Sequence, residues 1–210
     1  MTTLTSIESA VFALLSPLSS QASGPFRYVG RWLGAITSKP DGSVTVDKEV
    51  AARSPALLLE IGDGQATDDV TTLVGDVETR EVVGLRCAIV LREVRGSNLA
   101  VTGASGEPGL VGLCDAVTNA LANAFVADGS GTSLLLRDSR LHYRGRKTLT
   151  ADANVAVVVT LDFEAERSVD TVTATEPNAV TYEGTTNKIH LVGQLTTPSN
   201  ADPLVTFKDE

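Results

Sequence analysis

The chain has 210 residues, 42% of them hydrophobic and 20% charged, which suffices for one full core, or a core domain plus an appendage, and excludes a disordered polymer. Aromatic residues make up only 4%, a balance that favours sheets of small β-branched residues over a large aromatic cofactor cavity. The formal net charge of −9 repels a phosphate backbone, which argues against sequence-specific nucleic-acid binding.

Residues 5–19 carry Ile7, Ala10, Val11, Leu14, Leu15 and Leu18 at helical spacing and predict a first amphipathic helix. Thr5 and Glu8 have capping-box spacing, and Pro17 works against the last turn. A connector of small residues over 19–25 leads to a first strand at 26–33 bearing Tyr28 and Trp32, and Asp41-Gly42 marks a turn. Pro55 then opens a short apolar run, Ala56-Leu57-Leu58-Leu59, ending at Gly62, the pattern of a central strand buried on both faces.

Residues 62–81 hold Asp63, Asp68, Asp69, Asp76, Glu78 and Glu81 against Arg80 alone and read as an exposed acidic loop or hairpin. The best-patterned strand follows at 82–93. Val83, Leu85, Cys87, Ile89 and Leu91 point inward and alternate with outward Gly84, Arg86, Ala88, Val90 and Arg92, the signature of a sheet with one buried face. After a Gly-rich connection over 96–109 the period changes. Leu110, Leu113, Cys114, Val117, Leu121, Ala124 and Phe125 form one stripe of a second helix that covers this face, with Pro108 in its first turn.

Asp128-Gly129-Ser130-Gly131 stops that helix. Short strands are predicted at 134–136 and 141–143, and a long one at 154–164 with Val155, Val157, Val159, Leu161 and Phe163 on one side. The tail from Arg167 is rich in Thr, Val and Asn, includes Pro177, Pro198 and Pro203, and suits extended arms or a hairpin at 181–195. The order predicts an α+β fold: a mainly antiparallel sheet with two amphipathic helices packed on one face. It divides into a core domain over 1–166, including the acidic loop 62–81, and a β-rich C-terminal extension over 167–210.

No basic segment followed by an apolar run opens the chain, and no apolar stretch reaches the roughly 18 residues of a bilayer span. The expectation is a cytoplasmic product without membrane contact. Cys87 and Cys114 fall on predicted core faces, without CxxC or Cys/His spacing, and read as reduced structural cysteines.

Groups that could carry chemistry are isolated. His142 and His190, the two histidines, have no neighbour at triad or metal spacing. Gly103-Ala104-Ser105-Gly106-Glu107-Pro108-Gly109 precedes a helix, yet lacks a GKS or GKT ending and a GxGxxG arrangement, so it reads as a flexible connection. Asp63, Asp68 and Asp69 do not follow the calcium-loop spacing. An enzyme would have to draw on scattered residues such as Asp115, His142 or Glu164, so no catalytic residue, cofactor or metal is expected. Arg137, Arg140, Arg144, Arg146 and Lys147 crowd together with only Asp138 opposing them. The run reads either as a solvated hairpin or as a surface that meets an acidic neighbour, including the acidic segment of another copy.

In this order the segments Ile7-Glu8-Ser9-Ala10-Val11-Phe12-Ala13-Leu14-Leu15, Pro55-Ala56-Leu57-Leu58-Leu59-Glu60, Gly109-Leu110-Val111-Gly112-Leu113-Cys114-Asp115-Ala116-Val117 and the strand from Val155 to Phe163 resemble the tail terminator, or tail completion, proteins of long-tailed bacteriophages and Mu-like prophages. The resemblance covers about residues 4 to 165. It implies a small virion subunit that assembles as a homohexameric ring on the last tail-tube ring, stops tube polymerisation, and offers a docking surface to the neck of the head and, in contractile tails, to the sheath. Arg137, Arg140, Arg144, Arg146 and Lys147, with Asp68 and Asp69, are the expected interface residues. The acidic insertion and the segment after Glu166 depart from the simplest members of that family. Another head-tail connector, neck, tail-tube or baseplate protein is the alternative.

Overall fold

The computed structural model describes residues 3–66, 70–71, 77–92, 103–104, 107–136, 138–149, 151 and 157–169. They form an α+β fold around a sheet whose main path has five strands. The chain falls into two compact units, one comprising residues 1–69 and 79–169, the other 70–78 and 170–210. In the second unit the described part is a short pairing of Val70 and Thr71 (β5) with Glu78 and Val77.

Helix α1 spans Leu4–Leu15. Its cap is Thr3 rather than Thr5: the Thr3 hydroxyl accepts the Ser6 amide at 3.1 Å. Glu8, expected to complete the cap, instead binds Arg31 at 2.7 Å and ties α1 to strand β1, Tyr28–Arg31. Pro17 ends the α-helix and enters a 3-10 turn, Ser16–Leu18. A hairpin of β2 (Ile36–Ser38) and β3 (Val44–Val46) and the short helix α2 (Lys48–Ala52) precede β4, Ala56–Ala66. Next come β6 (Val77–Leu91), the two-residue strands β7 (Gly103–Ala104) and β8 (Glu107–Pro108), helix α3 (Leu110–Leu121), β9 (His142–Leu149) and β10 (Val157–Val169).

The sheet order is β1-β4-β6-β10-β9. Only β1 and β4 run parallel; every other neighbouring pair in this order is antiparallel. Ile7, Val11 and Leu15 of α1 and Leu113, Cys114, Val117 and Leu121 of α3 meet Leu57, Leu59, Val83, Leu85, Cys87, Ile89, Val159, Leu161 and Phe163 in one core. Both helices therefore cover the same face, the arrangement expected from their stripes.

The opposite face is not left to solvent as the alternation of β6 suggests. Ala88 and Val90, read as outward, are buried with Ala56, Leu58 and Val158 under Ile36 and Val44 of the β2–β3 hairpin, and Trp32 packs against the same cluster. The Trp32 indole N–H donates to the Ile36 carbonyl at 3.1 Å, pinning the hairpin where it begins. Coverage stops where the outward residues change character. Beyond Leu58, Ala88 and Thr160 the same face carries Glu60, Arg86 and Asp162, and ionised side chains are cheap only in water.

Several boundaries differ from the sequence reading; the second helix, for one, ends at Leu121 rather than at the Asp128 stop, and Pro108 belongs to β8 rather than to its first turn. Of the two forms read for the acidic segment, loop or hairpin, the described residues show paired strands at both ends: β4 continues to Ala66 and β6 begins at Val77. The Gly-rich connection includes a tight ladder, Gly103 opposite Pro108 and Ala104 opposite Glu107. The expected division after residue 166 falls inside β10, whose pairing with β6 runs to Val169 opposite Thr79. The arm expected over 167–210 and the hairpin at 181–195 lie, beyond Val169, outside the described residues.

Candidate interface

Strand β9 forms one end of the sheet, and among the described residues it pairs with β10 alone. It carries Arg144, Arg146 and Lys147 of the basic run that the sequence singled out, but not as one patch. The pairing register runs Gly145 opposite Asp162 and Tyr143 opposite Phe163, so Arg144 is an extra residue, a β-bulge. Gly145 sits there at a φ of 151°, a conformation open to glycine. Cross-strand partners share a face, so Tyr143 and Arg146, opposite Phe163 and Leu161, lie on the helix side, and Lys147, opposite Thr160, lies on the other. Arg144 also turns to that other side, where it forms an ion pair with Glu164. A regular strand would have put Arg144 and Arg146 together; the bulge separates them.

The residues leading into β9 are anchored, although the basic side chains of β9 itself are exposed. Leu135, Ser139 and Leu141 are buried. The Ser139 hydroxyl accepts the Glu166 amide at 2.8 Å, and the Leu136 amide donates to the Glu166 carbonyl at 3.2 Å. The strands expected at 134–136 and 141–143 are thus one loop followed by β9. Arg140 projects from it with its guanidinium 4.3 Å from the centroid of the exposed Phe125 ring, a cation–π contact. Arg137, Asp68 and Asp69 lie outside the described residues.

The uncovered half of the second face holds a ladder of charges that no local sequence pattern announces. Arg86 of β6 binds Asp162 of β10 at 2.7 Å and reaches Glu60 of β4 at 3.9 Å, with Arg144–Glu164 beside them. Together with Gly62 and Gly84 they line a shallow cleft of about 590 Å³. The charges are paired within the chain and half-exposed, so the ladder adds little to stability. Its alternation of sign leaves no strong local field, unlike β9. A second cleft, of about 510 Å³, lies by β1 and is lined by Tyr28, Trp32, Arg31 and Arg53, with the Arg53 guanidinium 5.2 Å from the Tyr28 ring centroid.

His142 is exposed at the start of β9, and His190 lies outside the described residues. Among the described residues no three or more His, Cys, Asp or Glu side chains gather as a metal site requires. No helix among them is long and apolar enough to cross a membrane. Both cysteines are free and buried. Burial, with a smaller contribution from Asp162, pushes the Cys87 thiol from 9.0 up to about 12. Burial also raises Cys114, opposed by the charge of Arg146 and assisted by that of Asp115.

The thiolate is the reactive form, so a thiol reagent is expected to label the folded protein only as fast as it opens. Labelling should accelerate steeply through the denaturant transition; fast stoichiometric labelling of native protein would contradict the packing. Because the folded thiol of Cys87 holds its proton longer than the unfolded one, its contribution to stability is complete below pH 9.0 and is lost as pH rises toward about 12.

The sheet edge, the bulge and the charges of β9 make an exposed surface at one end of the sheet. No protein-family model and no curated protein sequence matches the chain.

Proposed function

We propose that this chain is a structural virion protein of the tail terminator type, closing as a ring on the end of a phage tail tube, ending tube growth and presenting a docking surface to the neck. The observation that carries the reading is the ordered resemblance of four segments, which in this fold contribute to α1, β4, α3 and β10 around a single core. A subunit of that kind works by surface complementarity, and the charged sheet end at β9 supplies a surface for it. A head-to-tail contact closes into a ring when its rotation divides the circle, and the two faces of the ring then differ. One face meets the tube; the other refuses another tube ring and meets the neck, or the sheath as well in a contractile tail. The ring number the resemblance implies is six.

The exposed strand at the sheet end also suits a second reading, a tail-tube or connector subunit that stacks without limit. Adding the purified protein to polymerising tube subunits encoded by the same genome separates the two. A terminator is expected to shorten the tubes in proportion to its concentration and to be labelled at the head-proximal end of virions. An unchanged tube-length distribution would remove the proposal, and filaments of the protein alone would favour the stacking subunit.

A further inference from the structure

The two ends of the sheet are unlike in charge and fit one another in direction. At one end, β9 presents eight residues containing Arg144, Arg146 and Lys147 and no acidic residue. At the other, β1 covers β4 only from Ala56 to Leu59. Among the described residues no strand lies on the outer side of β4 over 61–66, although β4 pairs with β6 at Ile61 and again over 64–66, on either side of a register shift. That stretch contains Asp63, and the sequence continues into Asp68 and Asp69 with no basic residue before Arg80. Among the described residues both edges therefore offer unpaired main-chain donors and acceptors, one in a basic and one in an acidic stretch of sequence.

We infer that β9 of one copy pairs antiparallel with the outer edge of β4, over residues 61–66, in the next copy, continuing the sheet from subunit to subunit. The strand directions allow this, and each edge carries one irregularity, at 62–63 in β4 and at Arg144 in β9. β4 is antiparallel to β6, β6 to β10 and β10 to β9, so β9 runs opposite to β4. When copies are set side by side in one sheet, β9 meets the neighbouring β4 in the antiparallel sense. β9 would occupy the length of β4 that β1 leaves uncovered, about 20 Å for six residues at strand rise.

Charge selects this pairing over its rivals. Two β9 strands would set Arg146 and Lys147 against their own kind, and two β4 edges would set aspartates together; like charges opposite one another are unfavourable. Only the unlike combination is attractive, which makes the contact head-to-tail. Such a contact propagates in one direction and closes only if the rotation per copy divides the circle. Arg144 is already bound to Glu164 of its own chain, whereas Arg146 and Lys147 have no ion-pair partner among the described residues, so the latter two carry the recognition. The inference rests on the ring reading for closure but not for the contact itself.

The test uses the full chain and two variants, Arg146→Glu with Lys147→Glu to spoil the β9 edge, and Asp63→Arg with Gln65→Arg to spoil the β4 edge. Each variant alone is expected to run as a monomer in light scattering, because both of its edges then carry the same sign, and an equimolar mixture is expected to assemble again, because the two reversed edges complement one another as the native ones do. The unaltered protein should assemble further, and less so in 1 M salt, where the Debye length falls to about 3 Å. Variants that assemble like the parent, a mixture that stays monomeric, or a parent that is monomeric up to its solubility limit would each overturn the edge pairing. Amide exchange on the unaltered protein gives a readout free of mutation: protection gained on assembly in both β9 and 61–66 is expected, and protection gained only elsewhere overturns it. Filaments with the expected variant behaviour keep the edge pairing and remove the terminator reading; capped tubes with unaffected variants do the reverse.

Discussion

Replacing Val90 by lysine is expected to destabilise the protein by on the order of 4 kcal/mol, a large part of the stability of an ordinary domain. Val90 has no exposed surface and stands opposite Ala56 and Val158 in its two neighbouring strands, beneath Ile36 and Val44. The ammonium would be desolvated among apolar groups, or the β2–β3 hairpin would have to lift off the sheet. Arg86 provides the control: it lies on the same strand and face, but beyond the hairpin, and is half-exposed. Arg86→Lys should cost less than about 1 kcal/mol. Urea titration of the two variants measures the difference. A Val90→Lys cost near that of the control would mean that the second face is open, as the alternation of β6 by itself suggests.

The contrast between those two positions explains how far the sequence can be read. Val83, Leu85, Cys87 and Ile89 alternate cleanly, and the stripes of both helices are regular, so the main core and its two covering helices were legible from periodicity alone. The second layer was not, because Ala88 and Val90 are small apolar residues whose outward position says nothing about whether an element returns to cover them. The cover, Ile36 and Val44, comes from a hairpin of three-residue strands too short to give a period. Cross-strand register was equally hidden. Arg86 and Asp162 are 76 residues apart, and each looks like an ordinary outward charge until pairing sets them opposite one another. The basic run was conspicuous by composition, but its division between two faces depends on one bulge at Arg144 and Gly145, which local propensity does not reveal.

Glu81 was read as one acid among many in a solvated segment, and its replacement makes the second prediction. Glu81 and Arg167 face each other in the β6–β10 ladder, and the guanidinium Nε donates to the carboxylate at 2.6 Å. Their side chains retain only 18% and 10% of their exposure. By the alternation of both strands the pair stands on the helix side, two residues beyond Val83 and Ala165, so it closes the end of the main core. Glu81→Ala is expected to cost about 3 kcal/mol, at the low end for breaking a buried pair because Arg167 keeps another interaction. Removing both charges should recover much of the loss, since the penalty lies in a buried cation deprived of its carboxylate rather than in the absent attraction. Glu81→Gln with Arg167→Met is therefore expected to be more stable than Glu81→Ala, and a double-mutant cycle on denaturant midpoints reads the coupling. A coupling near zero would place the pair among solvated surface charges and detach this end of β6 from the core. A large coupling would instead extend the rigid part of the sheet past residues 82–84, leaving the outer edge of β4 backed by an ordered strand, the condition an intersubunit strand contact needs.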